Sequence, residues 1–500
     1  MSRLTRKSMA IVAAAAFTLS APLATSPVAV SQEAPAQRID ANAETSLTIE
    51  KMIGELGSTT AAGDGFTFTA QRVADVDLTK QSGWSTASEI SNAYAADPAG
   101  YQVPVESETY TATTDGKGKA VFNTANNNML PVGMYLITEE TTGNFSEIAP
   151  FLITVPNIKT DSTVNYNPTV KPKNQKINPT KAHVDTDVRQ GEDIEYTINA
   201  PVPLGDRTAA EQDANPNLNQ LREFTITDEL PEGLAPKAPT EVSAPGVELV
   251  SGTDYTATVD GRTVTVEFTD AGRKKLFDAR TNNANLAVTV TFAATVNAIP
   301  ADGRVLNQAR LKIANRDKEI LTSVADGSRS DGSEGADKNL TEFADVTITK
   351  TVDGEEKAGG AGAQFEVVAC EAGKQVGETA VQFSQGEVDN GDRVITAEGG
   401  TESAAATATG TGFVTQENTD YCVREIKAAE GYLLNPDLIK LTRVEATNSR
   451  VQYTATVDNV KNNIWGRLPA TGERTMLYIL ALGLVLFGGG AAYQLSRRNA

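Results

Sequence analysis

The sequence predicts an all-β chain made of tandem β-sandwich domains. Short runs of Val, Ile and Thr alternate with polar residues and end at Gly, Asn or Asp, as at 46–50, 264–268 and 452–457. Helical periodicity is sparse, and Ser85–Ala96 is the one stretch that we expect to be a helix. A chain of 500 residues with 40% apolar residues is long enough for about three such domains.

The first 31 residues have the features of a secretory signal peptide. A basic start precedes an apolar run over 9–19, and small residues at 29–31 suit cleavage. This apolar run is too short for an ordinary membrane helix. We therefore expect residues 1–31 to be removed from an exported protein.

Composition excludes several function classes. A net charge of −20 repels phosphate backbones and argues against a nucleic-acid partner. With one histidine, His183, and two cysteines, the chain lacks the ligands of His-based zinc sites and Cys₄ clusters, so we expect no metal and no cofactor. We read His183 as an ordinary strand or linker residue.

Two stretches without alternation predict domain boundaries. Residues 171–179 are rich in Pro and Lys, and residues 326–335 are rich in Gly, Ser and Asp. The second stretch is either a linker or a long loop near the end of the middle domain. The resulting segments are 32–174, 175–340 and 341–467.

The C-terminus contains a composite motif. It consists of Leu468, Pro469, Ala470, Thr471 and Gly472, then an apolar stretch over 476–493, then Arg497 and Arg498. This order resembles the cell-wall sorting signal of Gram-positive surface proteins, here residues 468–500. The resemblance implies that a sortase cleaves between Thr471 and Gly472 and transfers the threonine acyl group to an amine. Membrane contact is then transient, whereas a plain tail anchor is the alternative.

A weak internal repeat links the first and last segments. Residues 47–51 (LTIEK) match 346–350 (VTITK), and residues 135–139 (YLITE) match 421–425 (YCVRE). Because side chains alternate along a strand, each repeat places a Lys and a Glu on a face with aliphatic residues.

A lysine and a glutamate on a core face have a chemical use. Burial lowers the pKa of an amine and raises the pKa of a carboxyl group. A neutral amine can attack the carbonyl carbon of a neighbouring asparagine and release ammonia, with the carboxyl group as catalyst. The product is a Lys–Asn isopeptide bond.

This pattern resembles the collagen-adhesin B-type immunoglobulin-like domains of Gram-positive surface proteins. The resemblance implies Lys350, Glu425 and Asn459 as the reacting residues of the last segment. Asn459 shares strand parity with Val457, which favours it over Asn462 and Asn463.

In the first segment the same resemblance implies Lys51 and Glu139, with Asn174 as the amide. Asn174 shares strand parity with Tyr166 and Val170, whereas Asn165 and Asn167 point the other way.

The middle segment has a different acidic motif. Residues 228–234 (DELPEGL) resemble the acid loop of a second type of isopeptide domain in the same proteins. That resemblance implies Lys181 as the amine, Asp228 as the acid and Asn307 as the amide.

Two cysteines lie in the last segment. Cys370 and Cys422 are 52 positions apart in a chain that we expect to be exported, which predicts a disulfide.

Residues 164–174 resemble the pilin motif of sortase-assembled pili, whose terminal lysine receives the threonine acyl group of the next subunit. Lys173 falls on that lysine, and Val170 and Pro172 match, whereas Val164, Pro168 and Lys171 depart from the motif. The resemblance implies that Thr471 is joined to Lys173 of an identical subunit. Peptidoglycan is the default acceptor of the threonine acyl group, and Lys173 is the second acceptor that the pilin motif suggests.

Together these features resemble a major backbone pilin of a sortase-assembled Gram-positive pilus. The resemblance implies a non-enzymatic shaft subunit on the cell surface, with a sortase, identical subunits, peptidoglycan, accessory pilins and a host-surface ligand as partners. A wall-anchored monomeric adhesin is the main alternative. A wall-anchored enzyme is the weaker one, because we recognise no nucleophile–base pair in the sequence beyond the crosslinking residues.

Overall fold

A computed structural model describes residues 38–54, 61–98, 100–140, 143–204, 221–332, 338–356, 359–384, 393–445 and 449–462, with isolated positions 480, 482 and 486. The predicted signal peptide, the motif at 468–472 and the rest of the apolar stretch at 476–493 lie outside the described residues. Among the described ranges we find no helix with the length and apolar character that membrane crossing requires.

The all-β prediction is confirmed: the described residues form many short strands and two α-helices. The first region, residues 38–174, contains β1 (Leu47–Glu50), β2 (Met52–Ile53), β3 (Ala61–Ala62), β4 (Thr67–Val73), β5 (Val105–Thr113), β6 (Lys119–Phe122), β7 (Gly133–Glu140), β8 (Phe151–Val155), β9 (Asn157–Ile158), β10 (Val164–Asn165), β11 (Thr169–Val170) and β12 (Lys173–Asn174). Helix α1 (Gln81–Ala96) confirms the helix expected at Ser85–Ala96 and begins one turn earlier.

The middle region, residues 180–324, contains β13 (Thr180–Val184), β14 (Asp193–Pro201), β15 (Phe224–Glu229), β16 (Leu234–Pro236), β17 (Glu241–Ser243), β18 (Tyr255–Asp260), β19 (Thr263–Phe268), β20 (Ala287–Val296), β21 (Arg304–Asn307), β22 (Ala309–Ile313), β23 (Ile320–Leu321) and β24 (Ser323–Val324). Helix α2 (Asp270–Arg280) was not expected. The Thr269 hydroxyl accepts a hydrogen bond from the Gly272 N–H at 3.2 Å and caps it, and the buried Leu276 and Arg280 anchor one face.

The last region, residues 339–462, contains β25 (Asn339–Val352), β26 (Gln364–Glu371), β27 (Lys374–Ala380), β28 (Val394–Thr396), β29 (Ala406–Thr415), β30 (Asp420–Lys427), β31 (Ile439–Lys440), β32 (Thr442–Val444) and β33 (Val451–Asn459). Long alternating burial along β29 and β33 follows the alternating sequence.

The chain's contacts group into two compact units. One contains the described residues up to Val184 and those within Glu195–Ala294 and Leu306–Asn339. The other contains Asp185–Ile194, Thr295–Val305 and the described residues from Leu340 to 462. The division into three domains at 174, 340 and 467 stays a prediction.

The first and last regions each contain two larger sheets that pack face to face. In the first region, the sheet β11-β1-β6 faces the sheet β5-β4-β7-β8 across a core that includes Ile49, Phe68 and Tyr135. In the last region, β25, β29, β32 and β33 face the sheet β27-β26-β30-β31 across a core that includes Ile348, Phe365 and Phe413. Apolar side chains from both sheets therefore fill one layer in each region.

Pairing is mostly antiparallel, but early and late strands of each region pair in parallel. The parallel pairs among the described strands are β1–β11, β2–β12, β13–β24 and β25–β33. Parallel pairing places the beginning of each region beside its end. In the first and last regions this brings the predicted lysine and asparagine onto neighbouring strands.

Candidate crosslinking sites

The site of the first region lies between its two sheets. Lys51 follows β1, Glu139 is on β7 and Asn174 is on β12, and Lys51 and Asn174 are fully buried. The backbone holds Lys51 from both sides, because its N–H donates to the Gly118 carbonyl at 2.7 Å and its carbonyl accepts from the Gly63 N–H at 3.0 Å. The lysine side chain therefore enters the core from a fixed backbone position.

Its three side chains form a closed hydrogen-bonded triangle. Lys51 Nζ lies 2.8 Å from Glu139 Oε2 and 2.6 Å from Asn174 Oδ1. Asn174 Nδ2 donates to Glu139 Oε1 at 2.6 Å. One carboxyl group thus touches both the amine and the amide nitrogen.

Burial lowers the proton affinity of the Lys51 amine. The Phe66 and Phe68 rings lie 5.1 and 5.6 Å from Nζ. Loss of hydration lowers the pKa of Lys51 to about 8, although the neighbouring Glu139 opposes this decrease. A lysine with a lowered pKa is uncharged more often near neutral pH than an exposed lysine is.

The site of the last region uses the same strand positions. Lys350 on β25 is fully buried, and Glu425 on β30 and Asn459 on β33 are buried too. Asn459 Nδ2 donates to Glu425 Oε1 at 2.9 Å, and the Asn435 N–H donates to Glu425 Oε2 at 2.6 Å. Glu425 is therefore held by the amide that it would activate and by a loop.

The Lys350 amine has backbone partners. Its Nζ donates to the carbonyls of Thr351 at 3.0 Å and Val457 at 2.8 Å. Among the described residues, Asn459 Oδ1 has no hydrogen-bond partner. Burial lowers the pKa of Lys350 to about 8 and raises the pKa of Glu425.

Strand register is identical at the two sites. Asn174 pairs with Ile53 and Asn459 pairs with Val352, and in both cases the partner lies two residues after the lysine. Glu139 pairs with Phe68, and Glu425 pairs with Phe365. The weak sequence repeat therefore corresponds to a repeated geometry.

The middle region has a different arrangement. Lys181 on β13 forms a buried ion pair with Asp228 on β15, and its Nζ lies 4.4 Å from the centroid of the Tyr196 ring. Burial lowers the pKa of Lys181 to about 8. Asn307 is buried at the end of β21, and within the described residues neither polar atom of its side chain has a hydrogen-bond partner. Burial of an amide without hydrogen bonds costs free energy and calls for an explanation. A role of the Asn307 side chain in the predicted crosslink would provide one.

The predicted acceptor lysine lies at the end of the first region. Lys173 is half-buried on β12 and pairs with Met52, next to Asn174 of the first site. Lys171 is exposed and forms an ion pair with Glu50 at 2.7 Å. The two neighbouring lysines therefore differ in exposure.

The predicted disulfide is confirmed. Cys370 on β26 and Cys422 on β30 are bonded, with their Cα atoms 5.8 Å apart. The disulfide joins two neighbouring strands of the sheet that carries Glu425. His183 is on β13, and its Nδ1 lies 3.0 Å from Asn339 Nδ2.

Sequence reasoning missed two glycines at these sites. Gly63 and Gly360 each precede the paired phenylalanine, Phe68 or Phe365, by five residues and lie against the lysine side chain. The available signal was the shared pattern Gly-x-Gly-x-x-Phe at 63–68 and 360–365.

Comparison with known proteins decides what the first region is. Residues 37–175 match the family described as Gram-positive pilin subunit D1, N-terminal domain. This region is a Gram-positive pilin domain. The match begins before β1 and ends one residue after Asn174, so the pilin domain contains the complete first site and Lys173.

Similarity to curated relatives extends along the whole length of the chain. The chain is 29% identical to Fimbrial subunit type 2 of Actinomyces naeslundii over 95% of this chain and 93% of that protein. It is 27% identical to Fimbrial subunit type 1 of Actinomyces viscosus over 99% of this chain and 98% of that protein. The chain is thus a homologue of fimbrial subunits.

Solved structures agree on the fold. The full-length major pilin SpaD of Corynebacterium diphtheriae has a TM-score of 0.57 and 23% identity over 86% of this chain and all of that one. The major pilin SpaA of the same organism has a TM-score of 0.56 and 23% identity over 83% of this chain and all of that one. The fold is therefore that of major pilins.

Proposed function

We propose that this chain is the structural backbone subunit of a covalent pilus on a Gram-positive cell surface. The observation that carries the proposal is its alignment with fimbrial subunits over 95% and 99% of its length, with a pilin domain at residues 37–175. The subunit is a sortase substrate and not an enzyme. The mature subunit is part of the pilus, and the pilus is attached to the peptidoglycan.

Polymerisation joins two copies by an amide bond. A sortase breaks the peptide bond between Thr471 and Gly472 and releases the C-terminal peptide. The threonine acyl group then forms an isopeptide bond with the ε-amine of Lys173 in the next copy. Because the donor and acceptor surfaces differ, the association is heterologous and does not close, as a filament requires. Accessory pilins and a host-surface ligand complete the expected partners.

Each subunit is also crosslinked internally. In the first region, Glu139 takes a proton from the Lys51 amine through Oε2, and the amine attacks the side-chain carbonyl carbon of Asn174. Glu139 Oε1 lies 2.6 Å from Asn174 Nδ2, which places the carboxyl group to return the proton to the departing nitrogen. One C–N bond forms, one breaks, and ammonia leaves.

The same reaction joins Lys350 to Asn459 with Glu425 as acid, and Lys181 to Asn307 with Asp228 as acid. The buried amines, whose pKa is lowered to about 8, support this chemistry in all three regions. Internal bonds between early and late strands would carry tensile load before the strand hydrogen bonds do.

A ladder experiment tests the polymerisation. Wall extracts of cells that express the chain should give ladders resistant to sodium dodecyl sulfate, and Lys173→Ala should abolish them. Lys171→Ala is the matched control, because this lysine lies two residues away and is exposed. Ladders that persist in Lys173→Ala would remove Lys173 from the proposal. A wild-type chain found only as a monomer would favour the wall-anchored adhesin.

A further inference from the structure

Two glycines occupy equivalent places beside the reactive lysines of the first and last regions. Gly63 and Gly360 are both buried, and neither has a backbone φ in the left-handed region. An alanine would therefore meet no backbone strain at either position. Something other than backbone conformation favours glycine there.

The space around each glycine gives the reason. A Cβ on Gly63 would lie 2.7 Å from Lys51 Cγ, and a Cβ on Gly360 would lie 2.7 Å from Lys350 Cγ. Carbon atoms in non-bonded contact normally stay about 3.5–4.0 Å apart. The lysine therefore lies directly on the glycine, and any side chain at that position would displace it.

The displaced atom is near the base of the lysine. Cγ precedes Nζ by three bonds. A rotation about the Cα–Cβ bond that moves Cγ therefore also moves the amine, which lies farther from the rotation axis in an extended side chain. At Gly360 the added atom would also meet Lys350 Cβ at 3.2 Å and the Lys350 carbonyl oxygen at 3.1 Å. At Gly63 it would meet the Phe66 ring at 3.0 Å. The lysine cannot yield by moving only its flexible tip.

We propose that Gly63 and Gly360 are positioning residues for crosslinking. Each leaves the room in which the lysine lies flat against the backbone and keeps its amine beside the strand that carries the asparagine. In the first region the amine lies 2.6 Å from Asn174 Oδ1, and in the last region it lies 2.8 Å from the Val457 carbonyl, two residues before Asn459. This inference rests on the proposed internal bonds and adds a residue that controls their formation. A misplacement of about 1 Å between reacting groups costs on the order of 100-fold in rate.

The test uses the exported chain with Gly63→Ala or Gly360→Ala. Intact mass followed over time reports the loss of ammonia, and peptide mapping assigns each bond to its region. We expect crosslinking to slow about 100-fold in the altered region, by the misplacement cost just given, and to stay unchanged in the other. The Cys370–Cys422 disulfide, read from the same mass measurement, reports that the last region has folded.

Two controls separate positioning from packing. Gly116→Ala adds a Cβ in open space in the first region, and it should crosslink as the wild type does. Gly410→Ala places a Cβ 2.6 Å from the Phe383 ring, away from the lysine, and should lower stability while the ammonia is still lost.

The outcomes are distinguishable. A wild-type chain at its full sequence mass would overturn the internal bonds, and this inference with them. A wild-type chain that loses ammonia, beside glycine variants that lose it equally fast, would overturn the inference alone. Equal slowing in Gly410→Ala, or failure of both glycine variants to fold, would also overturn it, because packing would then explain the glycines.

Discussion

The first and last regions present the same three residue types in the same strand register but hold the amine differently. Lys51 Nζ contacts Glu139 and Asn174 at 2.8 and 2.6 Å, whereas Lys350 Nζ contacts two backbone carbonyls. The carboxyl groups differ less, since both accept a hydrogen bond from the asparagine amide. Strand pairing therefore fixes where the amide and the acid lie, and local contacts decide where the amine points.

This difference gives the two sites different sources of stability before reaction. The first site depends on a buried ion pair, whose separation leaves an uncompensated charge. The last site depends on hydrogen bonds from the amine to the backbone, which remain when the glutamate is replaced.

Removal of the amide tests whether both sites react. Asn174→Ala and Asn459→Ala should each restore one ammonia to the mass and lower the free energy of unfolding of its own region by about 4–5 kcal/mol, because each bond closes a loop of roughly 100 residues. Denaturant titration with intact mass measures both quantities. A mass that differs from that of the wild type by the Asn-to-Ala substitution alone would show that the region does not react.

Replacement of the acid distinguishes the ion-paired site from the backbone-paired site. On the uncrosslinked Asn→Ala backgrounds, Glu139→Gln should lower the free energy of unfolding of the first region by about 3–5 kcal/mol, since Lys51 loses its buried counter-charge. Glu425→Gln should cost the last region only about 0.5–1.5 kcal/mol, because Lys350 keeps its two carbonyls. Denaturant titration of the two Asn→Ala variants and the two double variants gives the loss of unfolding free energy in each region. A larger loss in the last region than in the first would contradict the difference between the two sites.

Removal of the disulfide should lower the stability of one region only. Replacement of Cys370 and Cys422 by serine should lower the free energy of unfolding of the last region by about 2–4 kcal/mol, because the denatured chain loses a closed loop. The unfolding transition of the first region, which contains neither cysteine, is the internal control. Calorimetry of the double variant measures both unfolding transitions. An equal decrease in both regions would contradict the prediction.

The lysine pKa predicts a pH dependence in uncrosslinked chains. In Asn459→Ala the Lys350 amine has a folded pKa of about 8 and an ordinary value of 10.5, so the unfolded state binds more protons between these values. Stability of the last region should therefore rise with pH from 8 to 10.5, by at most about 1.4 kcal/mol per pH unit. Lys350→Met in the same background should remove this rise; a rise that persists would assign it to other groups.

Much of the fold follows from residue pattern. Period-two alternation in β29 and β33 and the Gly, Asn and Asp turns predict strands, and the Tyr-x-x-x-Glu repeats locate β7 and β30. Helix α2 was missed because its capping residue Thr269 directly follows an alternating strand, so the change of period is hidden. Parallel pairing of early and late strands was not predicted either, since alternation does not specify a partner.

The sites are partly readable from sequence. Strand parity selected Asn174 and Asn459, and the structure places both beside their predicted glutamates. The partners of Lys350 and the contact of Gly360 with its side chain depend on packing between β25 and the loop before β26. No pattern along one strand encodes such a contact, although the shared Gly-x-Gly-x-x-Phe segment marks the place.

Peptide mapping of the exported chain by mass spectrometry shows whether the three buried lysines are bonded to their asparagines. We expect three joined peptide pairs after trypsin digestion, each lighter than its sequence by one ammonia: Lys51 with Asn174, Lys181 with Asn307 and Lys350 with Asn459. Free ε-amines at Lys51, Lys181 and Lys350, with unmodified asparagine peptides, would contradict this expectation.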